Sequence, residues 1–283
     1  MRVHHLNCGT MRPFGGTAVD AAPGYLRRAD MVCHCLLLET EESLVLVDTG
    51  LGTADVNDPR SSLPRPFRML THPALDRQET ALHQVRRLGY DPRDVGHIVL
   101  THLDLDHAGG LPDFPWAQVH VHESERRAAT ANRAPARYRP SHWAHQPHWT
   151  IHPRSSGDDW FGFEAVRNLP GLTENIAIIP LPGHTTGHTG VAIDTGSGWL
   201  LHAGDAYFSH RQLAVAPHCP PGLSAFQNLV DTDRGLRKHN QRRLHQLARR
   251  HSEVVDIVCA HDPADLYRHS AAAEAGTGSR EHD

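Results

Sequence analysis

The 283-residue sequence predicts a layered α/β fold, with mixed sheets covered by helices. Apolar runs of strand length recur along the chain. Many are apolar at nearly every position, which suits strands buried on both faces. Helix-patterned segments fall between some of them without strict alternation, which favours layered sheets over a doubly wound fold.

The strand-like runs, in order, are "MVCHCLLLE" (31–39), "SLVLVDTG" (43–50), "HIVLTH" (97–102), "AQVHVHE" (117–123), "NIAIIPLPG" (175–183), "GVAIDTG" (190–196), "GWLLHAGD" (198–205) and "VVDIVCAHD" (254–262). In "ALDRQETALHQVRRLG" (74–89), Leu82, Val85 and Leu88 form one helical stripe, and Gly89 is the stop. In "DTDRGLRKHNQRRLHQLARRHS" (231–252), Asp and Thr offer caps, and Leu236, Leu244 and Leu247 share a face. The stretch between Glu125 and Asp158 carries Arg126, Arg127, Arg133, Arg137, Arg139 and Arg154 with no carboxylate, and reads as an insertion. Residues after Arg268 are small and polar, as in a frayed tail. The expected organisation is one domain over 1–268, an insertion or lid over about 125–170, and a disordered tail over 269–283.

Hydrophobic residues make up 39% of the chain and charged ones 21%, ordinary values for a soluble domain. A net charge of −4 gives no reason to expect a nucleic-acid or membrane partner. The opening "MRVHHLNCGTMRPFGG" has no apolar core of a signal peptide. The 5 cysteines do not suggest a disulfide framework, so a reducing cytoplasm is the expected location. Cys33-His34-Cys35 reads as buried strand rather than metal site, because no second Cys pair follows.

With 25 histidines in the chain, no single one is informative; spacing is. "LTHLDLDHAGG" (100–110) delivers His102, Asp104, Asp106 and His107 at the end of a strand, then turns on a Gly pair. Four donors on one loop cannot all reach one small ion in good geometry, but they can serve two adjacent ions. His184 in "LPGHTTGH", Asp205 in "LLHAGDAYF" and His261 in "VCAHDP" also stand just after apolar strands. Ligands at the carboxyl ends of strands are a common place for function.

This H-x-D-x-D-H, H, D, H order, running from "VDTG" to "AHD", resembles the metallo-β-lactamase superfamily. The resemblance implies an αββα sandwich, two mixed sheets face to face with helices outside and the site along one edge. It implies two divalent metal ions: His102, Asp104 and His184 on one, Asp106, His107 and His261 on the other, and Asp205 bridging. A water between such ions is deprotonated near neutral pH and attacks a carbonyl or phosphoryl group that the ions polarise. Asp106 is then the group that hands a proton to the leaving group. The commoner motif has His where this chain has Asp104. Zinc is the expected metal, and the extra oxygen donor adds iron and manganese as alternatives.

Within the superfamily the pattern looks most like the lactonase group, including acyl-homoserine lactone lactonases. Those enzymes carry a Tyr three residues after the bridging Asp. Tyr207 follows Asp205 by two, and the same contact with a substrate carbonyl is expected of it. The reading is therefore a dinuclear-metal hydrolase of an ester-like bond, foremost a lactone; phosphodiesterase and thioester hydrolase are the alternatives, and no room remains for the flavin-carrying domain of a redox di-iron enzyme. The substrate is a small molecule, anionic or yielding an anion, and a homodimer is the assembly allowed for.

Other readings account for fewer residues. Two D-T-G triplets, at Asp48 and Asp194, mimic an aspartic protease, where paired carboxylates share a proton. That reading leaves the His/Asp set unexplained. A binding scaffold that had lost its metals would show replaced ligands, and none is replaced. No G-x-S-x-G elbow is present. His188, His202 and His210 are expected in supporting roles, and the His120/His122 pair lacks a third donor.

Overall fold

The structure, a computed structural model, describes residues 1–132, 134–153, 157–165, 169–172 and 175–269. One sheet has six strands in sequence order: β1 (Arg2–Met11), β2 (Met31–Glu39), β3 (Leu44–Val47), β4 (Val95–Val99), β5 (Gln118–His122) and β6 (His148–His152). β1 to β3 pair antiparallel, and β3 to β6 pair parallel. A short hairpin, β7 (Asp158–Trp160) and β8 (Phe163–Ala165), follows. The second sheet comprises β9 (Ile176–Pro180), β10 (Thr189–Asp194), β11 (Trp199–His202) and β12 (Val255–Val258), in the order β12-β11-β10-β9. Only its β11–β12 pair is parallel.

Side chains alternate across a strand, so each buried strand supplies two cores. Leu36, Leu38, Val45 and Val47 face Ile176, Ile178, Val191 and Ile193 between the sheets. Their neighbours Cys35, Leu37 and Leu46 turn outward onto Ala81 and Val85 of the helix Ala81–Arg87. Ala177, Ile179 and Ala192 turn the other way, onto Leu244 and Leu247 of the helix Arg234–Arg250. Each fully buried Leu, Ile or Val contributes roughly 1.5–3 kcal/mol. This is the helix–sheet–sheet–helix sandwich expected from the sequence.

All eight expected strands form. Both helices form as well, one cut short by a Thr80 cap on the His83 amide, the other started by Asp233 on the Leu236 amide. Leu88 and Leu236, expected on the buried stripes, are more than a third exposed. The insertion contributes β6 to the edge of the first sheet and buries Tyr138 and Trp143 against it. Arg133, Arg154 and almost all of the 269–283 tail lie outside the described residues.

Candidate metal centre

The donor loop begins where β4 ends. Asp104 opens a single helical turn, Leu105–Ala108, which presents Asp106 and His107 to the same side. The Gly pair then lets the loop press on the end of β3. A Cβ at Gly109 would lie 2.4 Å from an Asp55 oxygen, and one at Gly110 2.8 Å from the Thr49 carbonyl. The other donors come from the second sheet: His184 after β9, Asp205 after β11 and His261 after β12. Strand ends of both sheets thus converge on one point.

Asp205 organises the cluster. Its Oδ2 lies 3.2 Å from His184 Nε2 and 3.7 Å from His102 Nε2. Its Oδ1 lies 3.2 Å from His261 Nε2 and 3.4 Å from His107 Nε2. Asp104 Oδ2 joins the first group, 3.1 Å from His184 and 3.5 Å from His102. Asp106 Oδ2 joins the second, 3.8 Å from His261. The structure therefore gathers all seven donors into two adjoining groups that meet at Asp205: His261 Nε2 lies 3.2 Å from both of its oxygens, and ligand atoms of His102, His107 and Asp205 lie within 4.8 Å of one another.

A second layer aims these rings. His107 Nδ1 donates to Asp48 Oδ2 at 2.8 Å. Asp48 also accepts from the Thr101 amide and hydroxyl. The Thr101 hydroxyl, having donated, accepts from His102 Nδ1 at 2.9 Å. His261 Nδ1 donates to the Val32 carbonyl at 2.8 Å. With Nδ1 of His102, His107 and His261 so occupied, their Nε2 atoms face the cluster, the usual way a ligating histidine is oriented. The first D-T-G aspartate is thus a supporting group, while Asp194 accepts from Gly196 in a remote turn. Glu125, fully buried, accepts from the Leu103 amide and from the Thr185 hydroxyl and Gly187 amide. It ties the donor loop of one sheet to that of the other. His188 accepts from the Asp205 amide at 2.8 Å and donates to Leu181, a supporting role.

Do these donors fit a metal? His102 Nε2, His107 Nε2 and Asp205 Oδ1 are buried and have no hydrogen-bond partner. Buried polar atoms are seldom left so. Three carboxylates and four imidazoles facing one another need cations between them. Burial would raise Asp104 and Asp205, yet their neighbours hold both well below the usual carboxylate range: Arg137 and His102 for the first, His261, His107 and His184 for the second. Burial would lower His107, but Asp205 and Asp48 push it well above the ordinary imidazole value. His184 and His261 move up as well, against burial, chiefly through Asp205. The field of the cluster draws in positive charge, and the donor set fits a pair of divalent ions.

The sequence matches the model of the metallo-β-lactamase superfamily over residues 28–261. The chain belongs to that superfamily. A Mycobacterium tuberculosis relative named "probable metallo-hydrolase" is 43% identical over 272 residues, covering 95% of this chain and 82% of the relative. An N-acyl homoserine lactonase of Bacillus thuringiensis is 30% identical over 188 residues, 66% of this chain and 68% of that one. Among solved structures, an N-acyl homoserine lactone hydrolase holding the product N-hexanoyl-L-homoserine at its catalytic metal centre aligns with a TM-score of 0.70. It is 22% identical and covers 94% of this chain and 95% of its own. A dizinc quorum-quenching lactonase aligns with a TM-score of 0.61 and 20% identity, over 92% of this chain and 87% of its own. Like its relatives, the protein is a metallo-β-lactamase-superfamily hydrolase.

Against the superfamily frame, some expected residues sit elsewhere. Tyr207 is not brought to the centre: it packs in the core behind the second sheet, and its hydroxyl donates to Asp265 at 3.4 Å. The position three residues after Asp205 is Phe208, whose ring lies against His261 and His184. Neither position 207 nor position 208 therefore offers a hydroxyl to the centre. Arg137, one of the six arginines of the carboxylate-free insertion, binds Asp104 with two nitrogens, at 2.6 and 2.5 Å. His120 lies in a hydrogen-bonded row with His97 and His152, where burial lowers His120 to about 3 and His152 to about 4.

Three features were missed in the sequence: the Arg137 contact, Phe208, and Cys33, whose sulfur lies within 4.8 Å of ligand atoms of Asp106 and His261. Above the centre lies a cavity of about 510 Å³. Asp104, Asp106 and Asp205 lie at its floor, and its walls include Met11, Val19, Phe67, Leu70, Phe208 and Phe226. A second hollow, about 650 Å³, lies behind the His184 loop and is lined by none of the seven donors.

Proposed function

We propose that the protein is a two-metal hydrolase of lactones, or of closely similar esters, that carry an apolar arm. The observation that carries this reading is Asp205, set between the two donor sets and lining a cavity with apolar walls. His102, Asp104 and His184 would hold one ion, Asp106, His107 and His261 the other, and Asp205 both. When bound, such a pair makes a water nucleophilic near neutral pH and polarises the ester carbonyl.

The remaining chemistry falls to the chain. Asp48, Thr101 and the Val32 carbonyl fix the ligand rings, so that little reorganisation is left for the reaction. Asp106 lines the cavity and is the carboxylate that takes a proton from the attacking water and returns it to the leaving alkoxide as the C–O bond opens. Phe208 and the facing Phe67 and Phe226 exclude water and receive the arm. With Phe at position 208, carbonyl polarisation rests on the metals, without a phenol donor.

The test has two parts. Elemental analysis should give two transition-metal ions per chain, and chelator dialysis should abolish hydrolysis. Along a homologous series of acyl lactones, kcat/KM should rise about threefold to fourfold per added methylene until the cavity is filled, since each buried CH₂ is worth about 0.8 kcal/mol. A flat series, or faster turnover of phosphodiesters or thioesters, would reject the lactone assignment. Activity that survives metal removal would reject the mechanism.

A further inference from the structure

Cys33 belongs to a small apolar cluster with Met11, Met31 and Phe208, where a cysteine ordinarily serves as a compact hydrophobic side chain. Its surroundings on one side are different. Its Sγ, an Asp106 oxygen and a His261 nitrogen all lie within 4.8 Å of one another. The cysteine is 2% exposed, and so is shielded from solvent but not from the centre.

The backbone around it is shaped for this approach. The β1–β2 register shifts between Asn7 and Thr10, opposite Cys33, and the Asn7 side chain accepts from the Cys33 amide at 3.3 Å. Irregularities of this kind re-aim side chains beside active sites. The preceding carbonyl, Val32, is the acceptor that orients His261. The same two residues of β2 thus fix one ligand of the second donor set and bring a sulfur beside it. Within that set Asp205 Oδ1 and His107 Nε2 are buried without a hydrogen-bond partner, so it has unmet demand for a cation.

We propose that Cys33 is a further ligand of the second metal subsite, its thiol proton released to solvent as a metal ion takes the sulfur beside Asp106 and His261. This rests on the reading of the cluster as a two-metal centre. The two subsites would then differ in character. Each would hold two imidazoles, one carboxylate of its own and the shared Asp205, and the second alone gains a soft sulfur, which favours zinc or cobalt over manganese. Zinc would be held there even when the first subsite takes another metal.

Cobalt(II) provides a readout independent of activity. The protein loaded with two cobalt ions should show a near-ultraviolet sulfur-to-cobalt charge-transfer band. In Cys33→Ser that band should disappear while the ligand-field bands remain. One of the two cobalt ions should bind about 10-fold to 100-fold more weakly, the range seen when groups supporting a metal are removed. Cys33→Ala serves as a second variant should the serine disturb the apolar cluster. A two-cobalt wild type without the band, or a band that survives in either variant, would overturn the role of Cys33 alone. Fewer than two cobalt ions in the wild type would overturn the two-metal reading instead.

Discussion

Arg137 is the residue whose behaviour departs most from its composition. An arginine-rich, carboxylate-free stretch suggests a basic wall facing substrate, yet the described arginines are dispersed. Arg126 stacks over Trp149, Arg127 pairs with Glu123, and Arg139 donates to the carbonyls of Ser61 and Ser62. Arg137 alone reaches the centre, and its donors are already engaged. Nε and Nη2 bind Asp104, Nη2 also faces His184 Nε2 at 2.7 Å, and Nη1 reaches the carbonyls of His184 and Val230. Its role is charge balance for Asp104. Removing one partner of a largely buried pair leaves the other uncompensated, at a cost of about 3 kcal/mol or more. Arg137→Met should therefore lower the melting temperature of the metal-free protein markedly and that of the metal-loaded protein much less, because a bound cation takes over the carboxylate. Equal losses in calorimetry of the two forms would show that Arg137 is a packing residue unconnected to the metals.

At the scale of elements, legibility follows from how local the signal is. The eight apolar runs became strands because strand burial is written into consecutive residues. β1 was missed because its first half mixes polar and apolar residues, and β6 because it is an edge strand with one buried residue of five. The donor set was legible for the same reason as the strands: each ligand directly follows an apolar run. Cys33, Arg137 and Phe208 were not, since their approach is set by a register shift, an insertion and a turn after Asp205. Where two elements meet at the far edge of the second sheet, charge does the work. Asp256 of β12 binds Arg268 at 2.7 Å and His269 at 3.1 Å, tying down the helical stretch 263–269. Partial burial would raise its carboxyl, but these partners bring it down to about 2. A depressed folded value stabilises above the unfolded one, near 3.9, and that contribution is lost as pH falls toward 2. The pair is well exposed, so the gain is modest. The melting-temperature difference between wild type and Asp256→Asn should be small but steady above about pH 4 and should close at lower pH. A difference that persists undiminished at pH 2 and below would assign the effect to side-chain volume rather than charge.

For the whole molecule, the decisive fact is that the donors are divided between the sheets. His102, Asp104, Asp106 and His107 follow a strand of the first; His184, Asp205 and His261 follow strands of the second. The apolar interface between Leu36, Leu38, Val45 and Val47 and their partners already joins the halves, and Glu125 links the two donor loops. The fold should accordingly persist without metal, because neither of those attachments depends on it. Metal binding adds a third attachment, one that exists only in the folded chain, and so stabilises it by mass action. A thousandfold excess over the dissociation constant is worth about 4 kcal/mol per ion. For a domain of this size each kcal/mol moves the melting temperature by about 2–4 °C. Zinc or cobalt should thus raise the melting temperature of chelator-treated protein by about 10 °C or more, with little change in far-ultraviolet circular dichroism before the transition. The gain should grow with the logarithm of free metal concentration. A metal-free protein that is already unfolded would mean that the sheets depend on the centre for their association. A melting temperature indifferent to metal would mean that the seven donors do not bridge the halves at all.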